Sequence, residues 1–425
     1  MKFVKGYFTF ICLFACLFYF AFILQSYSAI LLFLGGGVLL TCKKWEKGNA
    51  WLYYSLCMLF VIVFHEYNIW KYGNYYYQGV FSDDYVYEQD SLSFYNEYGL
   101  NFFYIYHSIG VAHNSAGYVY VLALLRWFGT IGDGYNPFLP KILNVFVLQW
   151  ISYFVYRIAV DLCHLPMSKV NRYLFIIALY PSLLNIASYV FRDTLVSLFL
   201  VWVYYLLNRK KRSWRDLLGA LGLCFMLFFF RAFAAYILLI LILFFLFRIQ
   251  NIKQALLIGG GIAVFAFGLF HDILLQMMKA MIKYNGMNVE RLGGIGAKIF
   301  SLPLYLGAMP RLVFMILNPI PTWTNIQSFF AGTSCFFQAV ALPFVWQALV
   351  SKYTVLQLKV TFIVLFLGVA FSTASFRHIT MYLPFGFLLF LCGINEIAFG
   401  SLRYGKILFG SFVFYLISML LVLFA

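Results

Sequence analysis

Charged residues are scarce in this sequence, and acidic residues are scarcer than basic ones. Only 10% of the 425 residues are charged and only 14 are Asp or Glu, whereas 64% are hydrophobic and the mean hydropathy is +0.88. A soluble domain is typically about a quarter charged, and a chain this apolar would expose more hydrophobic surface than water tolerates. The composition therefore excludes a soluble globular protein and predicts an all-α, polytopic membrane protein.

The sequence also lacks a cysteine pattern. Its eight cysteines are scattered, without a CxxC pair or the Cys/His spacing of a zinc site, so neither a disulfide framework nor a zinc site is indicated. The net charge of +16 does not predict a nucleic-acid partner, because the basic residues stand at the ends of apolar runs. That distribution is the positive-inside pattern of membrane proteins, and it predicts membrane lipid as the partner.

Apolar runs long enough to cross a bilayer fill most of the chain. A spanning helix needs roughly 20 apolar residues, or about 17 at the short end, so we expect about 12–14 transmembrane helices in one transmembrane domain, residues 1–425. The first run lacks a small-residue cleavage site and continues into another apolar segment, which predicts a retained helix. The candidate spans are 7–25, 28–42, 50–66, 138–160, 173–191, 194–208, 217–230, 232–247, 255–270, 329–350, 360–376, 379–397 and 407–425.

Clusters of Lys and Arg predict which loops are cytoplasmic. With those clusters inside, residues 67–137 form a first external loop with interfacial helices, and residues 271–328 form a second. We expect segments 115–129 and 302–317 to be interfacial or re-entrant, because a crossing by the first would invert the topology and prolines interrupt the second. The clusters are Lys2 with Lys5, 43–47, 209–215, 248–253, Lys352 with Lys359, and Arg403 with Lys406.

Polar residues gather on the predicted external side. Residues 83–97 hold five of the fourteen acids, interleaved with tyrosines and without a Lys or Arg. Charges at membrane depth are costly and usually mark a site. We expect a pocket at the membrane–water boundary, where carboxylates act on a hydroxyl and arginines hold an anion such as a lipid phosphate. The other charged residues at predicted external helix ends and in the second loop include Arg192, Asp193, Arg231, Arg311, Arg377 and His378.

Each of these features has a purely structural alternative. The acidic segment could be a solvated loop, Arg192–Asp193 a local ion pair, Arg231 a residue that extends to the interface, and His378 a helix-terminal residue. The GGG runs at 35–37 and 259–261 lie inside apolar segments and favour close helix packing over phosphate binding.

The acidic pair in "DDYVY" (83–87), which opens the long first external loop, resembles the GT-C class of membrane glycosyltransferases. These enzymes use polyprenyl-phosphate-linked sugars on the non-cytoplasmic face. Segments 179–207, 230–239, 317–323 and 376–384 resemble parts of GT-C-like polysaccharide proteins, including O-antigen and capsule repeat-unit polymerases. The chain departs from the family in placing about three spans before the acidic loop, and it lacks a long central loop with paired arginines unless 271–328 takes that part.

The resemblance implies a multi-pass enzyme of the bacterial inner membrane, with a periplasmic active site, that acts in surface polysaccharide biosynthesis as a repeat-unit polymerase or a GT-C glycosyltransferase. It assigns the catalytic base to Asp83 or Asp84 and donor phosphate contacts to Arg192 and Arg377. The residues themselves add Arg231, Arg311 and His378 as candidates for the phosphate, and Tyr85, Tyr87, Glu88 and Asp193 as candidates for the sugar or acceptor.

Sugar transfer from a lipid phosphate needs a carboxylate to take the acceptor proton and arginines to stabilise the departing phosphate. We therefore expect no cofactor and no obligatory metal, although the acidic pair could alternatively hold Mg²⁺. A chain-length regulator is a further possible partner. The competing hypothesis is a lipid-linked oligosaccharide flippase, which would place its charges around a midplane cavity between two similar halves; a non-catalytic scaffold is a third.

Overall fold

A computed structural model describes residues 2–42, 47–77, 82–109, 115–209, 213–246, 294–319, 326–372 and 375–424. Over these ranges the chain is all-helical, which confirms the predicted class, and contains no strand. The α-helices are α1 (Lys2–Phe18), α2 (Tyr27–Thr41), α3 (Lys47–Tyr72), α4 (Asp83–Tyr98), α5 (Phe102–Ile109), α6 (Ala116–Gly129), α7 (Phe138–Arg157), α8 (Met167–Ala178), α9 (Pro181–Ala187), α10 (Asp193–Asn208), α11 (Trp214–Phe230), α12 (Ala232–Leu246), α13 (Gly294–Ser301), α14 (Leu304–Leu317), α15 (Ile326–Gly332), α16 (Ser334–Val350), α17 (Leu356–Ser372), α18 (Leu383–Gly393) and α19 (Leu402–Phe424).

Three short irregular turns complete the described secondary structure. π-helical turns, Tyr19–Ile23 and Ile158–Leu162, extend α1 and α7, and a 3₁₀ turn, Phe376–Met381, precedes α18.

Several of these helices are suited to a membrane. Five helical stretches within the described ranges have the length and apolar composition to cross one: Lys5–Ile23, Ala50–Tyr72, Phe138–Leu162, Ser328–Val350 and Leu402–Val422. Shorter apolar helices, including α2, α6, α10, α17 and α18, accompany them. The helices are consistent with a multi-pass membrane protein, while the number of spans and the sidedness remain predictions.

The predicted span 173–191 is not one straight helix. α8 ends at Ala178 and α9 begins at Pro181, and the two are bent by 49°. Proline has no N–H to continue the helical hydrogen bonds and its ring clashes with the preceding turn, so apolar composition alone overestimated the continuity here. The predicted span 255–270 lies outside the described residues, as do residues 271–293 and 320–325 of the second loop.

α7 is the central helix of the bundle and runs parallel to α10. It contacts α2, α3, α8 and α10, and most of its side chains are buried. Near its start, the side chain of Asn144 donates to the carbonyl of Tyr189 (2.9 Å) and accepts from Thr194 (2.7 Å). At the far end, the hydroxyl of Tyr205 donates to Asp161 (3.2 Å). The N-terminal ends of α7 and α10 therefore lie at one end of the bundle.

Charged residues occupy both ends of this helix pair. α10 is bounded by Arg192 and Arg209, and its sixteen residues correspond to roughly 24 Å at 1.5 Å per residue. α11 packs along α10 and joins α12 at Arg231. Because α11 starts just beyond Arg209, it returns Arg231 to the end of the bundle that carries Arg192. Arg192 and Arg231, both predicted to be external, thus lie at the opposite end of α10 from the basic segment that begins at Arg209.

Two buried glycines allow unusually close helix contacts. A Cβ atom added to Gly37 would lie 2.0 Å from the ring of Trp51, so α2 packs closely on α3, as predicted for the first GGG run. A Cβ atom added to Gly393 would lie 2.0 Å from the backbone oxygen of Phe344, where α18 packs on α16. Because backbone atoms cannot rotate away as side-chain ends do, α16 and α18 require glycine at 393.

We expect Gly393→Ala to lower stability by about 1–3 kcal/mol, since relieving the clash requires a backbone shift. The measurement is thermal unfolding of the purified protein in detergent. Gly410→Ala is the matched control, because a Cβ atom there meets nothing within 4 Å and alanine favours a helix interior by about 0.5–1 kcal/mol. Equal melting temperatures for Gly393→Ala and the wild type would contradict the close contact.

Candidate functional site

The acidic segment forms the first turns of α4. Ser82 precedes the helix in an extended conformation, and Asp83 and Asp84 lie in its first turn. The helix dipole stabilises negatively charged carboxylates at this end of a helix. Adjacent residues on an α-helix point about 100° apart, so the two carboxylates face different surroundings.

Asp84 faces the protein interior and is fully buried. Its carboxylate accepts the backbone N–H of Tyr77 (3.0 Å), the backbone N–H of Tyr85 (3.1 Å) and the hydroxyl of Ser82. Burial raises the pKa of Asp84 to about 6, although these donors and the charge of Lys141 oppose the shift. Asp84 therefore fixes the start of α4 rather than facing open water.

Asp83 faces outward and forms an ion pair. Its carboxylate lies 2.6 Å from the guanidinium of Arg377, and its side chain is 54% exposed against 15% for Arg377. The guanidinium also lies over the ring of Phe191, 4.4 Å from its centroid. Partial burial opposes ionisation, but Arg377, and then Arg192 and Arg231, hold the pKa of Asp83 below its ordinary value. Asp83 is therefore an ionised, accessible carboxylate at neutral pH.

A second, more deeply buried ion pair lies beside the first. The guanidinium of Arg231 lies 3.0 Å from the carboxylate of Asp193, with side chains 10% and 1% exposed. Next to Asp193, Arg192 donates to the hydroxyl of Ser115 (2.6 Å) and its guanidinium lies 5.6 Å from the ring centroid of Tyr87.

We call these five residues, Asp83, Arg192, Asp193, Arg231 and Arg377, the arginine cluster. The arginines come from three separate junctions: the start of α10, the α11–α12 connection and the 3₁₀ turn before α18. Three guanidinium groups face two carboxylates, which leaves one net positive charge. His378 adds none, because burial and the three arginines lower its pKa well below the ordinary value.

The arginine cluster contains a buried donor that lacks an acceptor within the described part of the chain. Nη1 of Arg231 is buried and makes no hydrogen bond among the described residues. A buried charged donor without a partner is costly, and each such group calls for an explanation. The N-terminal ends of α10 and α12 meet at the same place, and helix N-termini favour negative charge. The arrangement is suited to an oxyanion such as a phosphate.

The other predicted site residues are Tyr85, Tyr87, Glu88 and Arg311. Tyr87 is buried in contact with the arginine cluster, and half-buried Tyr85 packs its ring edge-on against Tyr76 at 5.1 Å. Glu88 turns away into the interior, where it accepts the hydroxyl of Tyr75 (2.9 Å). Arg311 lies elsewhere, on α14, and donates to the carbonyls of Phe300 in α13 and of Leu302 (3.1 and 2.9 Å).

Sequence reasoning did not identify three polar residues that support the site. Ser115 holds Arg192, and Arg126 donates to Ser91 (2.9 Å) and to the carbonyl of Glu88 (2.8 Å), which ties α6 to α4. Lys141, at the start of α7, is fully buried. Arg126 and Lys141 share a detectable signal, since each is a lone charge inside an apolar run.

The arrangement of the acids bears on the Mg²⁺ alternative. Asp83 and Asp84 do not converge, and both oxygens of Asp84 are occupied by internal donors. No group of three His, Cys, Asp or Glu residues in the described part of the chain could hold a metal ion. The acidic pair in this arrangement does not fit a Mg²⁺ cage.

Comparison with known proteins adds no relative: no protein-family model, curated protein or solved structure significantly matches the chain. The GT-C resemblance therefore rests on the short motifs alone.

Because Asp84 is buried, we expect the stability of the protein to depend on pH in the acidic range. Because its pKa is raised to about 6 in the folded protein, against about 4 in an unfolded chain, its stabilising contribution is complete below pH ~4 and is lost as the pH rises through ~6. At about 1.4 kcal/mol per pKa unit the loss is roughly 3 kcal/mol. We expect the melting temperature of Asp84→Asn to lack this decline.

Asp83→Asn provides a control with the opposite sign on the same helix. Because the pKa of Asp83 is lowered, its contribution is present at neutral pH and is lost only as the pH falls below ~4. The variant should keep the wild-type decline between pH 4 and 6. A decline that persists in Asp84→Asn would contradict this assignment.

Proposed function

We propose that the protein transfers a sugar from a polyprenyl-phosphate-linked donor to an acceptor hydroxyl, in bacterial surface polysaccharide assembly. The single observation that carries the proposal is the arginine cluster, in which guanidinium groups from three distant helix junctions meet around a half-exposed carboxylate. The expected subclass is a repeat-unit polymerase or a GT-C glycosyltransferase of the inner membrane, acting on the periplasmic side.

In this proposal Asp83 is the general base. Of the two acids, Asp83 alone combines substantial exposure with a position in the arginine cluster, whereas Asp84 is fully buried. The carboxylate takes the proton of the acceptor hydroxyl while the hydroxyl oxygen forms a bond to the anomeric carbon of the sugar. Arg377 keeps Asp83 ionised and thus able to accept that proton.

The arginines take the leaving group. As the bond between the anomeric carbon and the phosphate oxygen breaks, negative charge develops on the phosphate, and preorganised guanidinium donors in a dehydrated site stabilise it. Arg231 is the best placed to do this, because it is held by Asp193 while its Nη1 donor is unused among the described residues. Ser115 similarly orients Arg192.

The positions of the arginines favour transfer over transport. A flippase would place its charges around a cavity halfway through the bilayer. Arg192, Arg231 and Arg377 instead all lie at helix ends, and Arg192 is separated from Arg209 by the full length of α10. This location supports a site at one membrane face.

We expect Asp83→Asn to lower sugar transfer by about 10²–10⁴-fold, because it removes the base, and Arg231→Gln to lower it by about 10²–10³-fold, because it removes a phosphate donor. The measurement is polysaccharide length and amount in the native host, together with transfer from lipid-linked sugars by purified protein.

Glu97→Gln is the matched control, since Glu97 is exposed on the same helix as Asp83. It should leave transfer unchanged. Normal polysaccharide from Asp83→Asn and Arg231→Gln at unchanged protein level would refute the transferase proposal, and loss of lipid-linked oligosaccharide translocation alone would favour the flippase.

A further inference from the structure

A second group of charged residues, Lys141, Asp84 and Glu88, lies on the inner side of α4. This lysine is fully buried in the first turn of α7, inside the apolar run 137–151. A buried ammonium group is costly unless it is compensated by hydrogen bonds and opposite charge. Its surroundings therefore indicate what the charge does.

The immediate contacts of Lys141 solvate the ammonium without neutralising it. Its Nζ lies 2.7 Å from Nδ1 of His65 on α3, and 5.2 and 5.6 Å from the ring centroids of Tyr75 and Phe138. A protonated Lys141 donates this hydrogen bond to Nδ1 of a neutral imidazole. Aromatic faces attract cations as well. None of these three side chains carries a negative charge, and the hydroxyl of Tyr75 donates to Glu88 (2.9 Å), so the contacts of Lys141 lead to the acids of α4.

The acids that receive this charge lie on the inner face of α4. Asp84 and Glu88 are four residues apart, which places them on one helix face, and both are buried. Lys141 acts electrostatically on both and on Glu66, which accepts the hydroxyl of Tyr19. Tyr77, Tyr118 and Tyr189 also lie within electrostatic range of Asp84, and Tyr75, Tyr76 and Tyr135 lie within range of Glu88.

We propose that Lys141 is a positioning residue: its buried charge fixes the first turn of α4 through Asp84 and Glu88, and thereby holds Asp83 against Arg377. The two aspartates are adjacent, so the backbone that Asp84 anchors to Tyr77 and Ser82 also carries Asp83. The consequence for catalysis rests on the proposed sugar transfer, whereas the structural link from Lys141 to Asp84 does not.

The charge of Lys141, rather than its bulk, is what this role requires. A lysine that merely filled space could be replaced by an apolar residue of similar length without any effect on the titration of Asp84. Loss of the positive charge instead leaves two buried acids without their cation, so Asp84 should take up a proton at higher pH.

The test uses Lys141→Met in the full-length protein in lipid nanodiscs. Infrared titration follows the C=O stretch of the protonated carboxyl, assigned to Asp84 by its disappearance in Asp84→Asn. We expect the titration midpoint of Asp84 to rise by about one pH unit or more, in line with the effect of a nearby opposite charge, and the acid limb of the transfer pH profile to rise with it. Lys298→Met, at an exposed lysine, should change neither.

An unchanged midpoint for Asp84 in Lys141→Met would overturn the proposal, whatever the activity. A raised midpoint in a protein whose wild type transfers no sugar would uphold the link and refute only the transferase function.

A double-mutant cycle covers the case in which Lys141→Met folds poorly. Lys141→Met removes the cation from both Asp84 and Glu88, and Asp84→Asn removes one of the acids that face Lys141. The double variant has no Asp84 charge left to lose its cation, so it should lose less stability than the sum of the two single variants. Strictly additive losses would overturn the proposal.

Discussion

The ion pair between Arg377 and Asp83 joins residues 294 positions apart, and the geometry of the site depends on it. In a chain this poor in acids, a mostly buried guanidinium has few available partners, and leaving it unpaired would be expensive. The pair requires the start of α4 to meet the 3₁₀ turn before α18. Phe191 lies under the same guanidinium, so the neighbouring Arg192 and the start of α10 are brought to the same place.

The sequence predicted the positions of the helices better than it predicted where a helix is broken. Apolar runs placed 138–160 and 217–230 close to the observed α7 and α11, because hydropathy reports burial and length directly. It failed at Pro181, where apolar residues continue through a bend of 49°. Composition averaged over a window is insensitive to a single residue that removes a backbone donor, so a broken helix and a straight one give the same signal.

The residues of the candidate site could be predicted from the sequence, but the ion pairs that they form could not. Asp83, Arg192, Arg231 and Arg377 each interrupt an apolar run or border one, which is a local signal. Which acid meets which arginine depends on the packing of α4, α10 and α12, and no local pattern encodes that packing. Arg311 gave the same signal and lies elsewhere, where nearby carbonyls bind its guanidinium.

The adjacent aspartates illustrate how one short motif serves two physical needs. A general base must exchange protons with a substrate, which requires access, and it must be held still, which requires buried contacts. One side chain cannot be both fully buried and half exposed, but two neighbours on a helix face different surroundings. Asp84 takes the internal hydrogen bonds and the charge of Lys141, and Asp83 thereby meets Arg377 from a fixed backbone. Under the proposed function, Asp84 is therefore the anchor and Asp83 the general base, rather than two equivalent bases.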